Sequence, residues 1–397
     1  MKLYINIARA VVQALELIFE DGKYADKVIE KVLKQNPKWG ARDRRFIAET
    51  TYDIVRWHRL IQNMTGAEPT DHWKFVGCWC ILQNIPLPEW EEFQGLDSKK
   101  ILERKEKFKS IRKINESIPD WLDELGEKEL GRNWGKELSA LNEEAPVVLR
   151  ANTLKISAKE LRALLMPDGI ETSVLVDFPD ALVLNQRQNV FRHPSFKEGL
   201  FEVQDASSQL IAPFMRIQPG MRVIDACAGA GGKTLHIAAV MQNKGRIIAL
   251  DTEDWKLDEL KKRARRAEVS TIETRIIESS KTIKRLDNSA DRLLLDVPCS
   301  GLGVLKRNPD AKWKLSPEFI EEVIKLQQHI LEDYWTMLKP GGLMVYSTCS
   351  LMPSENEKQV ETFMKNHQDK FELLEEKRAW PSEGFDGFYM ALLKRKS

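Results

Sequence analysis

Apolar positions recur at helical spacing through the first part of the chain. Val11, Leu15, Ile18 and Phe19 fall on one face, as do Val28, Val32 and Leu33. The stretch GARDRRFIAETTYDIVRWHRLI (40–61) follows Pro37 and turns Phe46, Ile47, Ile54 and Val55 inward. Irregular turns at PLPEW and a basic run come next, then IPDWLDELGEKELGRNW, and residues 1–140 are expected to form one all-α domain. Pro146 opens a different texture. VVLRANTL (147–154), a short helix SAKELRALLM (157–166) and the runs ETSVLV, ALVLN and GLFEVQ predict a small α+β module over 145–205.

From 206 to 397 strands and helices alternate, which argues βαβ units on a parallel sheet. The strands are expected at MRVIDACAG (221–229), GRIIALD (245–251), IETRIIES (272–279), ADRLLLDVPC (290–299) and GGLMVYSTCS (341–350), with a long helix over 316–338. KFELLEE and GFYMALLKRK supply a closing pair of strands. The fold class is therefore multidomain: an all-α N-terminal domain, a small α+β module and a Rossmann-like α/β domain.

Composition narrows the setting. The net charge of +1 over 397 residues leaves no global field toward nucleic acid or membrane, so any polyanion must be held by local patches. Five scattered cysteines without disulfide spacing suit a reducing compartment. Arg9 and Glu16 interrupt the apolar N-terminus, no cleavage site follows, and no run is long enough to span a membrane. The expectation is a cytoplasmic monomer.

DACAGAGGKT (225–234) lies between the first strand and its helix, where glycines let backbone amides approach a ligand. A P-loop would need glycine at Cys227, and the dinucleotide fingerprint fails because the glycines fall at 229, 231 and 232. Asp251 ends the second strand, placed to accept the ribose hydroxyls of an adenosine. As a bland alternative it would be a helix N-cap before TEDWKLDEL. The glycine loop upstream favours a ligand, and a loop without a phosphate cradle suits S-adenosylmethionine. Asp296, Cys299 and Cys349 follow two further strand exits and should face the same crevice. A lone cysteine is usually an inert core residue. Two at matching exits are not well explained that way.

DACAGAGGKT, ALD, LLLDVPCSGLG and YSTCS, in that order, resemble the RsmB/Sun family of RNA cytosine-5 methyltransferases, over roughly residues 145–397. ARDRRFIAETTYDIVRWHRLI looks like the NusB-type helical domain of the RsmB branch. The resemblance implies methyl transfer to cytosine C5 in RNA, with 16S (small-subunit) rRNA as substrate. It also implies a covalent bond from Cys349 to C6, with Cys299 helping to release the product. In DNA cytosine methyltransferases the cysteine after proline is the nucleophile, which would point to Cys299. Asp296 would touch the cytosine N3 edge and the cofactor side of the crevice. Cys227, Ala228, Gly229, Ala230, Gly231, Gly232, Lys233 and Asp251 would line the cofactor site. The family's loop is usually C-A-A-P-G-G-K, and its acid after the third strand is here replaced by Ser279 or shifted to Glu278.

RNA contacts are expected from KRNPDAKWK (306–314), which would set Lys306, Arg307, Lys312, Lys314 and Trp313 beside the crevice. The run KKILERKEKFKSIRK (99–113) reads as a solvated helix face, and Arg42, Arg44, Arg45, Arg56 and Arg59 as either an RNA surface or local ion pairs. CWC (78–80), even with His72 nearby, lacks a zinc ligand set and reads as core, so no metal is expected. The rival readings are the same chemistry on transfer RNA or DNA, and an RNA-binding ribosome assembly factor without catalysis.

Overall fold

In the computed structural model, which describes residues 3–397, the chain divides into two compact units. One runs up to Glu143 and adds Leu305–Pro317; the other comprises Glu144–Val304 and Glu318–Ser397.

The first unit is helical. Ile5–Phe19, Ala25–Gln35, Ala41–Arg56, His58–Thr65 and His72–Leu82 bury Val11, Leu15, Ile47, Ile54 and Phe75 against one another. Cys78 and Cys80 lie wholly inside this core, and burial pushes both thiols up to about 12, so CWC is packing. His72 is buried and pairs with Glu20 at 3.1 Å.

Residues 305–317 correct the expectation of an RNA-binding stretch. Trp313 packs against the helical core and donates Nε1–H to the Val55 carbonyl at 2.7 Å. Lys312 is buried and donates to Asn142 Oδ1 at 3.2 Å; Lys314 reaches Asp310 and the Lys23 carbonyl. The Arg56 guanidinium, also buried, donates to the Lys306 carbonyl at 2.9 Å. The Lys312 and Lys314 amines and the Trp313 indole, expected to hold RNA, are consumed by packing. Other arginines of this unit act locally: Arg44 on the Trp39 carbonyl, Arg45 on Glu49, and Arg59 on the Ile118 carbonyl and Asp120.

In the second unit, β1 (Val148–Ala151), β2 (Thr172–Leu175), β3 (Phe178–Leu184) and β4 (Phe201–Val203) form an antiparallel sheet ordered β2-β3-β1-β4. Its helix Ala158–Leu165 starts from a capping box of Ser157 and Glu160. Buried Arg150 donates to Gln204 and to the Gly232 carbonyl, and Asn152 to the Ala267 carbonyl, tying this sheet to the larger one.

The larger sheet has seven strands. They are β5 (Arg222–Asp225), β6 (Arg246–Asp251), β7 (Ile272–Ile276), β8 (Ala290–Asp296), β9 (Leu338–Thr348), β10 (Phe371–Ala379) and β11 (Phe388–Arg395), in the order β10-β11-β9-β8-β5-β6-β7. Strands β5 to β9 pair parallel, while β11 and β10 close the edge antiparallel. The order reverses between β5 and β8, which opens the ligand crevice over their carboxyl ends. Several strands end earlier than the apolar runs suggest: β5 stops at Asp225 and β8 at Asp296, leaving the glycine loop and Cys299 in exit loops. The long helix stops at Tyr334, and β9 begins at Leu338.

Asp225 fixes the first exit. It is buried and accepts the Thr234 hydroxyl at 2.7 Å, joining the strand to the helix Gly232–Val240. Burial, with nearby Asp296, raises its carboxyl to about 7. The folded protein therefore holds this proton well above the pH at which the unfolded chain releases it. Stability from this group is highest at acid pH and falls as pH rises from about 4 to 7. Asp225→Asn keeps an acceptor for Thr234 and removes the charge. Its melting temperature should exceed that of the parent at pH 8, with the difference vanishing near pH 4 in thermal melts. For Lys312 the sign reverses. Burial, then Arg56, hold its amine well below the usual lysine range, so stability rises with pH until the unfolded chain also loses the proton. Lys312→Met should melt about 2–4 °C above the parent near pH 6, with the gap closing toward pH 10. An unchanged or lowered melting temperature at pH 6 would show that the Asn142 contact outweighs the buried charge.

Candidate active site

The candidate cofactor side is built at the ends of β5 and β6. Gly231 has φ +86° and caps the helix Gly232–Val240; a Cβ there would meet Leu260 Cγ at 2.5 Å, so only glycine fits between the loop and the next helix. The Gly229 amide donates to Asp251 Oδ2 at 2.8 Å and the Glu253 amide to Oδ1 at 2.9 Å. The N-cap of the next helix is Glu253, so Asp251 is not the cap of the bland alternative, although it holds the backbone just ahead of that helix. Each of its oxygens keeps a second lone pair for a ribose hydroxyl. The Ala230 and Gly232 carbonyls are taken by Arg263 and Arg150, both at 2.8 Å, so these residues shape the loop through their backbone. Ala228 is buried in the packing between loop and sheet. Burial and the surrounding carboxylates of Asp225, Asp296 and Asp251 hold the Cys227 thiol far up, leaving it a neutral wall. Glu278 and Ser279 are both exposed beyond β7.

The reacting side is built at the ends of β8 and β9. Asp296 stands opposite Ser347 in the parallel register; Ser347 Oγ donates to its Oδ1 at 2.9 Å and Lys233 Nζ to its Oδ2 at 2.6 Å. Burial pulls the Lys233 amine down, but Asp296 more than offsets this and holds it raised. Lys233 also lies over the Phe388 ring at 4.9 Å. Beyond these pairs, Cys299 Sγ and Cys349 Sγ stand 3.3 Å apart, both partly exposed. The hydrogen bond with Cys349, then burial and the nearby charges of Cys349 and Glu355, push the Cys299 thiol far up. The Gly303 amide donates to the Cys349 carbonyl at 2.8 Å, and a Cβ on Gly303 would meet that oxygen at 2.7 Å and the Gly387 carbonyl at 2.3 Å. The glycine of GLG is thus what lets the two cysteine loops lie together.

Lys233, Asp296, Cys299 and Cys349 therefore form one cluster, with the Gly229–Asp251 pair on its cofactor side. Reading the sequence missed the scaffold beneath it. Glu355 is wholly buried and accepts from the Ser300 amide (2.8 Å) and hydroxyl (2.5 Å), the Ser350 hydroxyl (2.5 Å) and Gln327 Nε2 (3.0 Å). Asn356 donates to the Ser350 carbonyl at 2.9 Å and accepts from Thr348 Oγ1. The available signal was the repeated Cys-Ser dipeptide, followed by acidic and amide residues in SENE (354–357).

Comparison with known proteins identifies the family. Residues 212–394 match the family described as 16S rRNA methyltransferase RsmB/F, and residues 118–191 the ferredoxin-like domain of RsmF/B-like methyltransferases. The chain is 34% identical over 403 residues to the probable ribosomal RNA small subunit methyltransferase B of Synechocystis, covering 91% of this chain and 87% of that one. It is 30% identical over 440 residues to ribosomal RNA small subunit methyltransferase B of Klebsiella pneumoniae, covering all of both. Among solved structures, PH0851 superposes with a TM-score of 0.83 at 26% identity, over 99% of each chain. A methyltransferase homolog from Pyrococcus horikoshii gives 0.63 at 28% identity, over 72% of this chain and 98% of that one. The chain belongs to the RsmB/F family of 16S rRNA methyltransferases, enzymes that depend on S-adenosylmethionine.

Proposed function

We propose that the protein methylates C5 of a cytosine in small-subunit ribosomal RNA, through a covalent bond from Cys349 Sγ to C6 and with Cys299 assisting release. The observation that carries this reading is the pair of thiols 3.3 Å apart at the exits of adjacent strands. Cytosine C5 is a poor nucleophile. When the Cys349 thiolate adds to C6, a sulfur–carbon bond forms and the C5–C6 π pair becomes available at C5. After C5 is methylated, a base removes the C5 proton, the pair re-forms the double bond, and Cys349 leaves as thiolate. The high-lying Cys299 thiol fits a group that keeps its proton beside the Cys349 sulfur. Lys233 fixes the Asp296 carboxylate, which would meet the cytosine N3 edge and favour N3 protonation, making C6 more electrophilic.

The cofactor loop fits S-adenosylmethionine. Asp251 offers free lone pairs to ribose hydroxyls, the loop has no phosphate cradle, and Cys227 adds a neutral wall. Bound there, the cofactor supplies an electrophilic methyl group. Reaching C6 requires the base to leave its stack. The four-stranded module over 145–205 would form the second wall of that pocket, and the helical unit would serve as a NusB-type RNA-binding domain. The thiol pair would work only where cysteines stay reduced, which favours the cytoplasm.

Cys299→Ala, incubated with total ribosomal RNA and S-adenosylmethionine, should accumulate a protein–RNA adduct on a denaturing gel, and sequencing should locate its cytosine. The adduct should vanish when Cys349→Ala is added, and Cys349→Ala alone should lose on the order of 10^4-fold or more in turnover. An adduct that instead needs Cys299 would reverse the thiol roles. RNA binding without adduct in either variant would favour an assembly factor, and an adduct formed with a transfer RNA pool but not with ribosomal RNA would change the substrate.

A further inference from the structure

The two cysteines share a local pattern: each is followed by a serine, and both serines bond to one buried carboxylate. Glu355 Oε1 accepts the hydroxyls of Ser300 and Ser350, while Oε2 accepts the Ser300 amide and Gln327 Nε2. Gln327 also donates to the Pro298 carbonyl at 3.0 Å, so the residues on both sides of Cys299 are tied to the same brace. With no exposure to water, the carboxylate is compensated by these four donors.

The brace is lopsided. The Ser350 loop has further anchors: Asn356 holds the Ser350 carbonyl, Thr348 Oγ1 accepts the Ser350 amide at 3.1 Å, and the Tyr346 hydroxyl donates to the Glu355 carbonyl at 2.6 Å. The polar contacts of the Pro298–Ser300 segment with the chain around it run mainly through Glu355 and Gln327. Removing the Glu355 carboxylate should therefore displace Cys299 more than Cys349.

We infer that Glu355 is a positioning residue for the release step: it holds the Cys299 thiol against the Cys349 sulfur. This rests on the reading that both thiols act. Cys299 is faced by the ionisable groups of Cys349, Glu355 and Tyr346, so loss of the Glu355 charge should let it ionise at lower pH.

The test uses the full-length protein with Glu355→Ala, Glu355→Gln and Ser300→Ala. A glutamine can turn its amide toward the two hydroxyls and its oxygen toward the two N–H donors, so Glu355→Gln should fold even if Glu355→Ala does not. Methyl transfer in a single turnover should stay within about fivefold of the parent, while multiple turnover falls about 50-fold or more in Glu355→Ala and less in Glu355→Gln and Ser300→Ala. Glu355→Ala should also trap the RNA adduct while retaining Cys299. A merely structural role would lower both rates together, in step with the melting temperature, and would trap nothing. Iodoacetamide labelling followed by mass spectrometry provides a readout that needs no RNA: the pH midpoint for alkylating Cys299 should drop in Glu355→Gln. An unmoved midpoint with parental turnover would overturn the inference. If the midpoint drops but Cys299→Ala also fails to trap RNA, the charge effect stands and the covalent reading fails.

Discussion

Parallel pairing of β8 with β9 sets Leu295 opposite Tyr346 and Asp296 opposite Ser347, and the Val297 amide extends the ladder to the Ser347 carbonyl at 3.0 Å. Both strands then end, and their exit loops leave side by side. Cys299 comes three residues after Asp296, and Cys349 two after Ser347. Because side chains alternate faces along a strand, a slip of one residue would turn Asp296 away from Lys233 and part the thiols. Buried leucines on both faces of β8 make such a slip costly, so the hydrophobic core enforces the geometry of the candidate site.

On that frame, electrostatics gives otherwise similar thiols different characters. Cys227 sits among three carboxylates and is held neutral. Cys299 has the Cys349 sulfur and the Glu355 carboxylate as neighbours, both of which oppose a second negative charge. Cys349 instead has the Lys233 ammonium among its charged neighbours, itself anchored by Asp296.

What was legible in the sequence follows from how strongly each feature is coded locally. Strands buried on both faces read as continuous apolar runs, so VIDA, IIAL, LLLD and MVYS were visible, and the candidate site residues followed at their exits. The turn glycines and Asp251 were equally plain. KRNPDAKWK was misread because a lysine looks the same in sequence whether it is solvated or buried. Only the folded chain shows that Asn142, some 170 positions away, takes the Lys312 amine and that Val55 takes the Trp313 indole. The same holds for arginines that cap helix ends or bind carbonyls, since their partners are set by tertiary packing.

The serine–glutamate brace was hidden for a related reason. Serine after cysteine carries no periodic signal, and a glutamate in SENE reads as the start of an exposed helix. Its burial becomes affordable only when four donors from three separate segments converge on it. That convergence also explains why a carboxylate suits the position better than an apolar side chain of equal volume. An apolar group would leave the Ser300 amide and one of the Gln327 N–H groups without an acceptor, at about 1–3 kcal/mol for each buried donor. It would also leave Cys299 without the negative neighbour that keeps its proton in place. A single buried charge thus couples the shape of the two loops to the protonation of one of them, which local sequence preference alone would not produce.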